Sequence, residues 1–191
     1  MKLLEERIRK DGIIGEGDVL KIGSFLNQQI DVGLVSEMGR EFHRLFGDAG
    51  VTKILTVEAS GIAIACLTAP YFGVPVVFAK KSKTSNIAGN VLCAECFSYT
   101  HNCVNNLIVP AEFLSADDKV LIIDDFLANG SAVRALCDLA HQAGAEVVGA
   151  GIAVEKAYQA GGKELRGQGL RIESLARIAS MSVGKGITFC Q

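Results

Sequence analysis

The chain has 191 residues and a formal net charge of −2, from 19 lysines and arginines against 21 aspartates and glutamates. This length predicts one ordinary domain that buries enough apolar surface to fold without a disulfide or a metal. The near-neutral charge argues against nucleic acid as a partner, and no apolar run reaches the roughly 18–20 residues that a membrane span requires. Residues 1–12 lack the apolar core of a signal peptide, so we expect a cytoplasmic protein.

The spacing of apolar residues predicts helices that alternate with short strands. An amphipathic helix over 1–11 comes first, and a glycine-rich break then leads to 18–22 and a loop over 24–29. The later elements predicted, in chain order, are a helix over 31–46 capped by Asp31, a strand over 53–57, a helix over 61–72, a buried strand over 76–79, a strand over 119–123, a helix over 131–143 that stops at Gly144, a strand over 146–154, a helix over 162–168 and a strand over 170–175. This alternation predicts an α/β domain, with a parallel twisted sheet and flanking helices on both faces.

The segment 80–106 interrupts the alternation. It opens with lysines and continues with small polar residues, which predicts a mobile loop that leads to one or two strands around 91–100 and 106–109.

Six cysteines occur, and in the absence of an export signal we expect reduced thiols. Cys93 and Cys96 form a CxxC pattern, with His101 and Cys103 close behind, which raises the question of a zinc site. Structural zinc sites usually pair two short ligand pairs across a longer connection. We therefore expect no metal site and interpret the cysteines as small apolar side chains.

The segment 120–132 carries the strongest functional signal. Its first four residues are apolar and predict a strand inside the sheet, and Asp124 and Asp125 follow where that strand is predicted to end. Ligands bind outside the carboxyl ends of strands in an open parallel sheet. The residues that open the next helix are small: Ala128, Asn129, Gly130, Ser131 and Ala132. Their backbone N–H groups can approach an anion closely, so the segment predicts a ligand with a phosphate about one sugar away from its hydroxyl groups.

Two other strand ends carry related features. Residues 59–61 form a second turn of small residues before a helix, and Lys80 and Lys81 follow the strand predicted over 76–79. An ordinary turn and solvated lysines explain each feature singly, but their arrival at one sheet edge favours a binding site. The chain has neither the Walker phosphate loop nor a dinucleotide fingerprint after a strand.

Four segments, 20–31, 58–63, 120–130 and 154–156, carry a resemblance that covers essentially the whole chain. Together they resemble the xanthine branch of the type I purine phosphoribosyltransferases of bacterial purine salvage. The strand, the two acids and the small-residue loop are similar to that family's motif for phosphoribosyl diphosphate (PRPP). The family loop usually has Thr-Gly where this chain has Asn129 and Gly130, which keeps the backbone nest and removes one hydroxyl. Ala128 replaces the Asp of the hypoxanthine-guanine branch.

The resemblance implies the type I phosphoribosyltransferase fold as one domain over 1–191, with a small hood contributed mainly by residues 1–30 and the C-terminal segment. It implies transfer of the 5-phosphoribosyl group of PRPP to N9 of xanthine, giving xanthosine 5′-monophosphate and pyrophosphate. Mg²⁺ is expected to arrive with PRPP, with no organic cofactor. A homodimer is implied as well.

The resemblance also implies roles for individual residues. Asp124 and Asp125 are expected to be catalytic, holding the ribose hydroxyls close to the positive charge of the transition state. The 5′-phosphate is expected to bind Ala128, Asn129, Gly130, Ser131 and Ala132. The pyrophosphate is expected to meet Ala59, Ser60, Gly61 and either Lys80 or Lys81. The base is expected to contact Leu20, Asn27 and Lys156. The polar, glycine-containing composition of residues 82–106 separately predicts a lid that closes over PRPP.

Two alternatives remain. A lysine that donates to a 6-oxo group suits hypoxanthine and guanine as well as xanthine, so either is an alternative base. A non-catalytic PRPP-sensing regulator of purine genes would share the fold. Such regulators carry an additional DNA-binding domain, and the first 30 residues are too short for a winged helix.

Overall fold

The computed structural model describes residues 1–17, 19–81, 89–98 and 103–191. The helices are α1 (Lys2–Asp11), α2 (Val32–Phe46), α3 (Ser60–Phe72), α4 (Ser131–Gln142) and α5 (Gly161–Gly167). The strands are β1 (Ile13–Gly15), β2 (Val19–Lys21), β3 (Lys53–Val57), β4 (Val76–Ala79), β5 (Val91–Ser98), β6 (Cys103–Pro110), β7 (Lys119–Leu127), β8 (Glu146–Lys156), β9 (Ile172–Ser182) and β10 (Gly186–Phe189). A π-helical turn spans Gly23–Asn27 and a 3-10 turn spans Ala111–Phe113.

The central sheet has six strands in the order β10-β9-β8-β7-β3-β4. Strands β4, β3, β7, β8 and β9 are mutually parallel, which confirms the predicted sheet. β10 was not predicted, and it pairs antiparallel with β9 at one edge. An antiparallel edge strand on an otherwise parallel sheet is common in α/β folds.

The two faces of the sheet carry separate apolar clusters, as predicted for a sheet with elements packed on both sides. Side chains of β7 alternate between them: Leu121 and Ile123 pack with α1, α2 and α3, and Val120 and Ile122 pack with α4 and the β5–β6 hairpin. Both clusters approach β7, so this strand is covered from both sides along its apolar half.

Apolar residues from 1–17 and 19–30 pack into the same core as α2. α1 buries Leu4 and Ile8, as its amphipathic pattern predicted, and the π-helical turn buries Phe25 and Leu26 where a loop was predicted. The predicted cap of α2 is confirmed, because Asp31 Oδ1 accepts from the Leu34 backbone N–H at 3.1 Å.

Three strands extend beyond their predicted ends. β7 continues through the two acids to Leu127, because β8 also runs longer than predicted and places Ile152 opposite Asp124 and Glu155 opposite Leu127. β9 continues to Ser182 because β10 turns back along it.

The prediction that 76–79 is a buried strand was wrong. Within the central sheet β4 pairs only with β3, at an edge, and Phe78 is 39% exposed. Of the predicted loop and lid, residues 82–88 and 99–102 lie outside the described residues, and residues 91–98 and 103–106 belong to the β5–β6 hairpin. In the described part of the chain, no helix combines the length and apolarity needed to cross a membrane.

Candidate active site

Two adjoining cavities lie at the carboxyl end of β7. One, of about 200 Å³, is the acid cavity, lined among others by Glu58, Ser60, Lys81, Asp124 and Asp125. The other, of about 550 Å³, is the loop cavity, lined among others by Ala128, Asn129, Gly130, Ser131, Ala132 and Lys156. Both are lined by Cys96, Phe126 and Ala132, where they meet. The structure therefore brings the acid pair and the small-residue loop to one continuous site.

The two acids differ in exposure, although both line the acid cavity. Asp124 is 3% exposed, and its Oδ1 accepts from the Asp125 backbone N–H at 3.0 Å. Burial first, and the charge of Asp125 second, raise the pKa of Asp124 well above its ordinary value. The positive charge of Lys81 opposes this shift without cancelling it. Asp125 is half-buried at the wall of the acid cavity.

Asp124→Asn is expected to stabilise the free protein at neutral pH, because the amide keeps an acceptor for the Asp125 N–H and brings no charge to desolvate. The folded-state pKa of Asp124 is raised, so the wild type loses stability as pH rises from the ordinary pKa towards the raised one. The advantage of the variant should grow by up to about 1.4 kcal/mol per pH unit in that window. Urea unfolding of both proteins between about pH 5 and about pH 8 measures it, and a difference independent of pH contradicts it.

The loop between β7 and α4 has the backbone geometry of an anion-binding turn. Gly130 has a φ of +84°, a left-handed conformation that glycine adopts without strain. It is the N-cap residue, directly before the first residue of α4. Asn129 Oδ1 accepts from the Ser131 backbone N–H at 3.4 Å and from Ser131 Oγ at 3.2 Å. These hydrogen bonds of the Asn129 side chain stabilise the loop conformation. The first residues of α4, whose backbone N–H groups have no partner within the helix, line the cavity.

The second small-residue turn lies across the acid cavity, between β3 and α3. Ser60 lines this cavity, and Ala59 is the exposed N-cap residue directly before α3. Gly61 is buried, and a Cβ at this position would lie 2.2 Å from Thr56 Oγ1. A cis peptide bond joins Glu58 to Ala59.

The structure separates the two lysines that were predicted to act as alternatives. Lys81 lines the acid cavity, and its backbone N–H donates to Glu58 Oε1 at 2.6 Å. Lys80 lines a different groove, with Phe78 and Phe113, and its backbone pairs with Ile108. Of the two lysines, only Lys81 is among the described residues that line the acid cavity.

Of the three residues predicted to contact a base, Lys156 alone lines the loop cavity. Leu20 is 6% exposed and packs in the core with α2, and Asn27 ends the π-helical turn. Neither belongs to the described lining of the two cavities, although Gly17 and Val19 of the same segment do.

Sequence reasoning missed Phe126 and Cys96, which stand where the cavities meet. Phe126 follows the acid pair directly, so its position in the chain was a usable signal. The sequence held no comparable signal for Cys96, because β5 reaches the site by packing on α4. There the Cys93 backbone N–H donates to Gln142 Oε1 at 3.3 Å, and Gln142 Nε2 donates to the Cys93 oxygen at 2.9 Å. Burial raises the pKa of the Cys96 thiol.

The possible zinc ligands do not converge. Cys93 and Cys96 are three positions apart on β5, which pairs with β6 in unbroken register, so their side chains face opposite sides of the hairpin. His101 lies outside the described residues. Within the described ranges, no group of three or more His, Cys, Asp or Glu side chains is placed to hold a metal ion.

Comparison with known proteins places this site in a family. Residues 33–166 match the family model for the phosphoribosyl transferase domain. The chain is 53% identical to a xanthine phosphoribosyltransferase of Lachnoclostridium phytofermentans, over 97% of this chain and 96% of that protein. It is 50% identical to one of Pseudomonas syringae pv. syringae, over 96% and 97%. 

Solved structures with a similar fold include adenine phosphoribosyltransferases. The enzyme from Thermoanaerobacter pseudethanolicus has a TM-score of 0.75 at 20% identity, covering 91% of this chain and 99% of that one. The enzyme from Giardia lamblia has a TM-score of 0.76 at 20% identity, covering 91% and 97%. These two structures support the fold alone. By the family model and the near full-length relatives, the chain belongs to the phosphoribosyltransferase family, in its xanthine phosphoribosyltransferase branch.

Proposed function

We propose that this chain transfers the 5-phosphoribosyl group of PRPP to N9 of xanthine, giving xanthosine 5′-monophosphate and pyrophosphate. The observation that carries the proposal is the acid pair beside the small-residue loop at the end of β7, lining two adjoining cavities. A phosphorylated sugar carries hydroxyl groups and a phosphate on one small molecule, which suits two cavities that adjoin. The names of the near full-length relatives support xanthine as the base.

In the proposed reaction the bond from C1′ to pyrophosphate breaks, and its electron pair leaves with pyrophosphate. N9 of xanthine forms the new bond to C1′, and the imidazole-ring N–H proton of xanthine passes to solvent. Positive charge develops on the ribose during this exchange. Asp125, at the cavity wall, holds the ribose hydroxyls together with Asp124 and stabilises that charge. The backbone N–H groups of residues 128–132 bind the 5′-phosphate.

On the pyrophosphate side, Ala59 and Ser60 face the leaving group. Lys81 neutralises its growing charge, because this lysine lines the acid cavity and Lys80 does not. Gly61 lets the turn pack closely against Thr56, which leaves no space for a larger residue at position 61.

At the base, Lys156 donates to an oxo group of xanthine from the end of β8. Leu20 and Asn27 contact the base from a hood formed by residues 1–30 and the C-terminal segment. Gly17 and Val19, which line the loop cavity, bring this hood to the site. The β5–β6 hairpin contributes Cys96 and Phe97 to the same cavity and so covers the sugar.

Magnesium suits this site as an ion that arrives with PRPP. Asp124 has a raised pKa in its buried position, which makes it a poor ligand for a resident cation, and Asp125 stands beside it at the cavity wall. Mg²⁺ is commonly held by phosphate oxygens and waters with few protein groups. A homodimer and a cytoplasmic location stay predictions.

The function is tested by supplying PRPP and Mg²⁺ with xanthine, guanine, hypoxanthine or adenine separately and measuring pyrophosphate release. We expect the highest kcat/KM with xanthine. A higher value with guanine or hypoxanthine would favour that base instead. Binding of PRPP without turnover of any base would support the non-catalytic regulator.

A further inference from the structure

A buried carboxylate lies one residue before Lys156, at Glu155, and has no part in the reaction described above. It is 2% exposed, and it accepts hydrogen bonds from Arg166 Nη1 and Nη2 at 2.7 and 2.8 Å, Ser174 Oγ at 2.6 Å and Arg177 Nε at 3.2 Å. Burial acts to raise the pKa of Glu155, but these hydrogen bonds and the guanidinium charges outweigh it and lower the pKa. A buried ion cluster is weak evidence for stability, because desolvation offsets most of the attraction.

The first turn of α5 is held between Glu155 and the phosphate loop. A Cβ on Gly162 would lie 2.3 Å from Glu155 Oε1. A Cβ on Gly161 would lie 2.3 Å from the Asn129 carbonyl carbon and 2.5 Å from the Ala128 oxygen. Two consecutive glycines therefore let this turn contact the carboxylate on one side and the loop backbone on the other.

Two carbonyl groups of the phosphate loop accept hydrogen bonds, one from the first turn of α5 and one from Arg134 of α4. The Gly161 N–H donates to the Ala128 oxygen at 3.2 Å. Arg134 Nη2 donates to the Asn129 oxygen at 3.1 Å and to Glu164 of α5 at 2.7 Å. In a trans peptide the C=O of one residue and the N–H of the next point in opposite directions. Fixing these two carbonyls therefore turns the N–H of Asn129 away from α5 and the N–H of Gly130 away from Arg134.

We propose that Glu155 is a positioning residue for phosphate binding: through Arg166 and the paired glycines of α5, its carboxylate fixes the loop N–H groups that receive the 5′-phosphate of PRPP. The inference rests on the proposed function, because it takes PRPP as the ligand of the loop. Arg177 bonds the same carboxylate from β9 and is not part of the path through α5. The two arginines thus form a matched pair, of which only Arg166 connects the cluster to α5.

The test compares Arg166→Gln with Arg177→Gln, each of which leaves Glu155 one guanidinium. We expect Arg166→Gln to raise the Kd and the KM for PRPP by about tenfold or more, because small displacements of a binding group are costly. The KM of Arg166→Gln for xanthine should stay within about twofold of the wild-type value. The Kd and the KM of Arg177→Gln for PRPP should also stay within about twofold of the wild-type values. Glu155→Gln should weaken PRPP binding in the same direction as Arg166→Gln.

Binding of PRPP with Mg²⁺ is measured by titration calorimetry below the thermal midpoint of every variant, so that unfolded protein does not contribute. The inference is overturned if Arg166→Gln lowers only the thermal midpoint, if the KM values for PRPP and xanthine rise together, or if Arg177→Gln matches Arg166→Gln. A wild type that binds no PRPP would overturn the proposed function itself. A wild type and an Arg166→Gln variant that bind PRPP equally would overturn this inference alone.

Discussion

Asp125→Asn is expected to lower kcat by about 100-fold or more, because the carboxylate charge stabilises the positive ribose in the transition state. Asp125 is the half-buried acid at the wall of the acid cavity, where its charge can act on a ligand bound there. Stability should change little or rise, since the Asp125 charge is one cause of the raised pKa of Asp124. Steady-state kinetics with PRPP and xanthine, together with the thermal midpoint, measures both effects.

Asp138→Asn is the matched control, because it removes the same charge from an exposed position on α4. Its kcat should stay within about twofold of the wild type. A fully active Asp125→Asn variant would exclude Asp125 from the electrostatic role.

Gly161→Ala is expected to weaken PRPP binding by about 100-fold, because a Cβ there would overlap the backbone of the phosphate loop rather than a flexible side chain. The overlap should also lower stability by about 1–3 kcal/mol, the usual cost of overpacking. Calorimetric titration with PRPP and urea unfolding separate the two effects.

Gly167→Ala supplies the control on the same helix. Apart from the backbone of its own helix and its chain neighbours, no described heavy atom lies within 4 Å of a Cβ at position 167. This variant should therefore bind PRPP normally and be as stable as the wild type or slightly more so. Equal PRPP affinity in the two variants would show that the contact between α5 and the loop has no bearing on the site.

The features that depend on residues adjacent in the chain were predictable from the sequence. The acid pair, the loop of small residues and the capped α2 each follow from local chemistry, and all three are present. The continuation of β7 through Asp124 was not predictable, because it requires β8 to run alongside. The separation of Lys80 from Lys81 depends on β6, whose Ile108 pairs with Lys80 across 28 positions.

The contribution of α5 to the loop was also beyond the sequence pattern. Gly161 and Gly162 suggest only a turn when they are read alone. Their importance comes from the groups beside them, which are the Ala128 carbonyl next to Gly161 and the Glu155 carboxylate next to Gly162. Close packing between elements far apart in the chain is the information that periodicity does not carry.

The most direct test of the site is a crystal structure of the protein soaked with PRPP and Mg²⁺. We predict the 5′-phosphate against the backbone N–H groups of residues 128–132, the ribose hydroxyls within hydrogen-bonding distance of the acid pair, and the diphosphate beside Ser60 and Lys81. PRPP bound outside these two cavities, or with its 5′-phosphate away from the loop, would contradict the account.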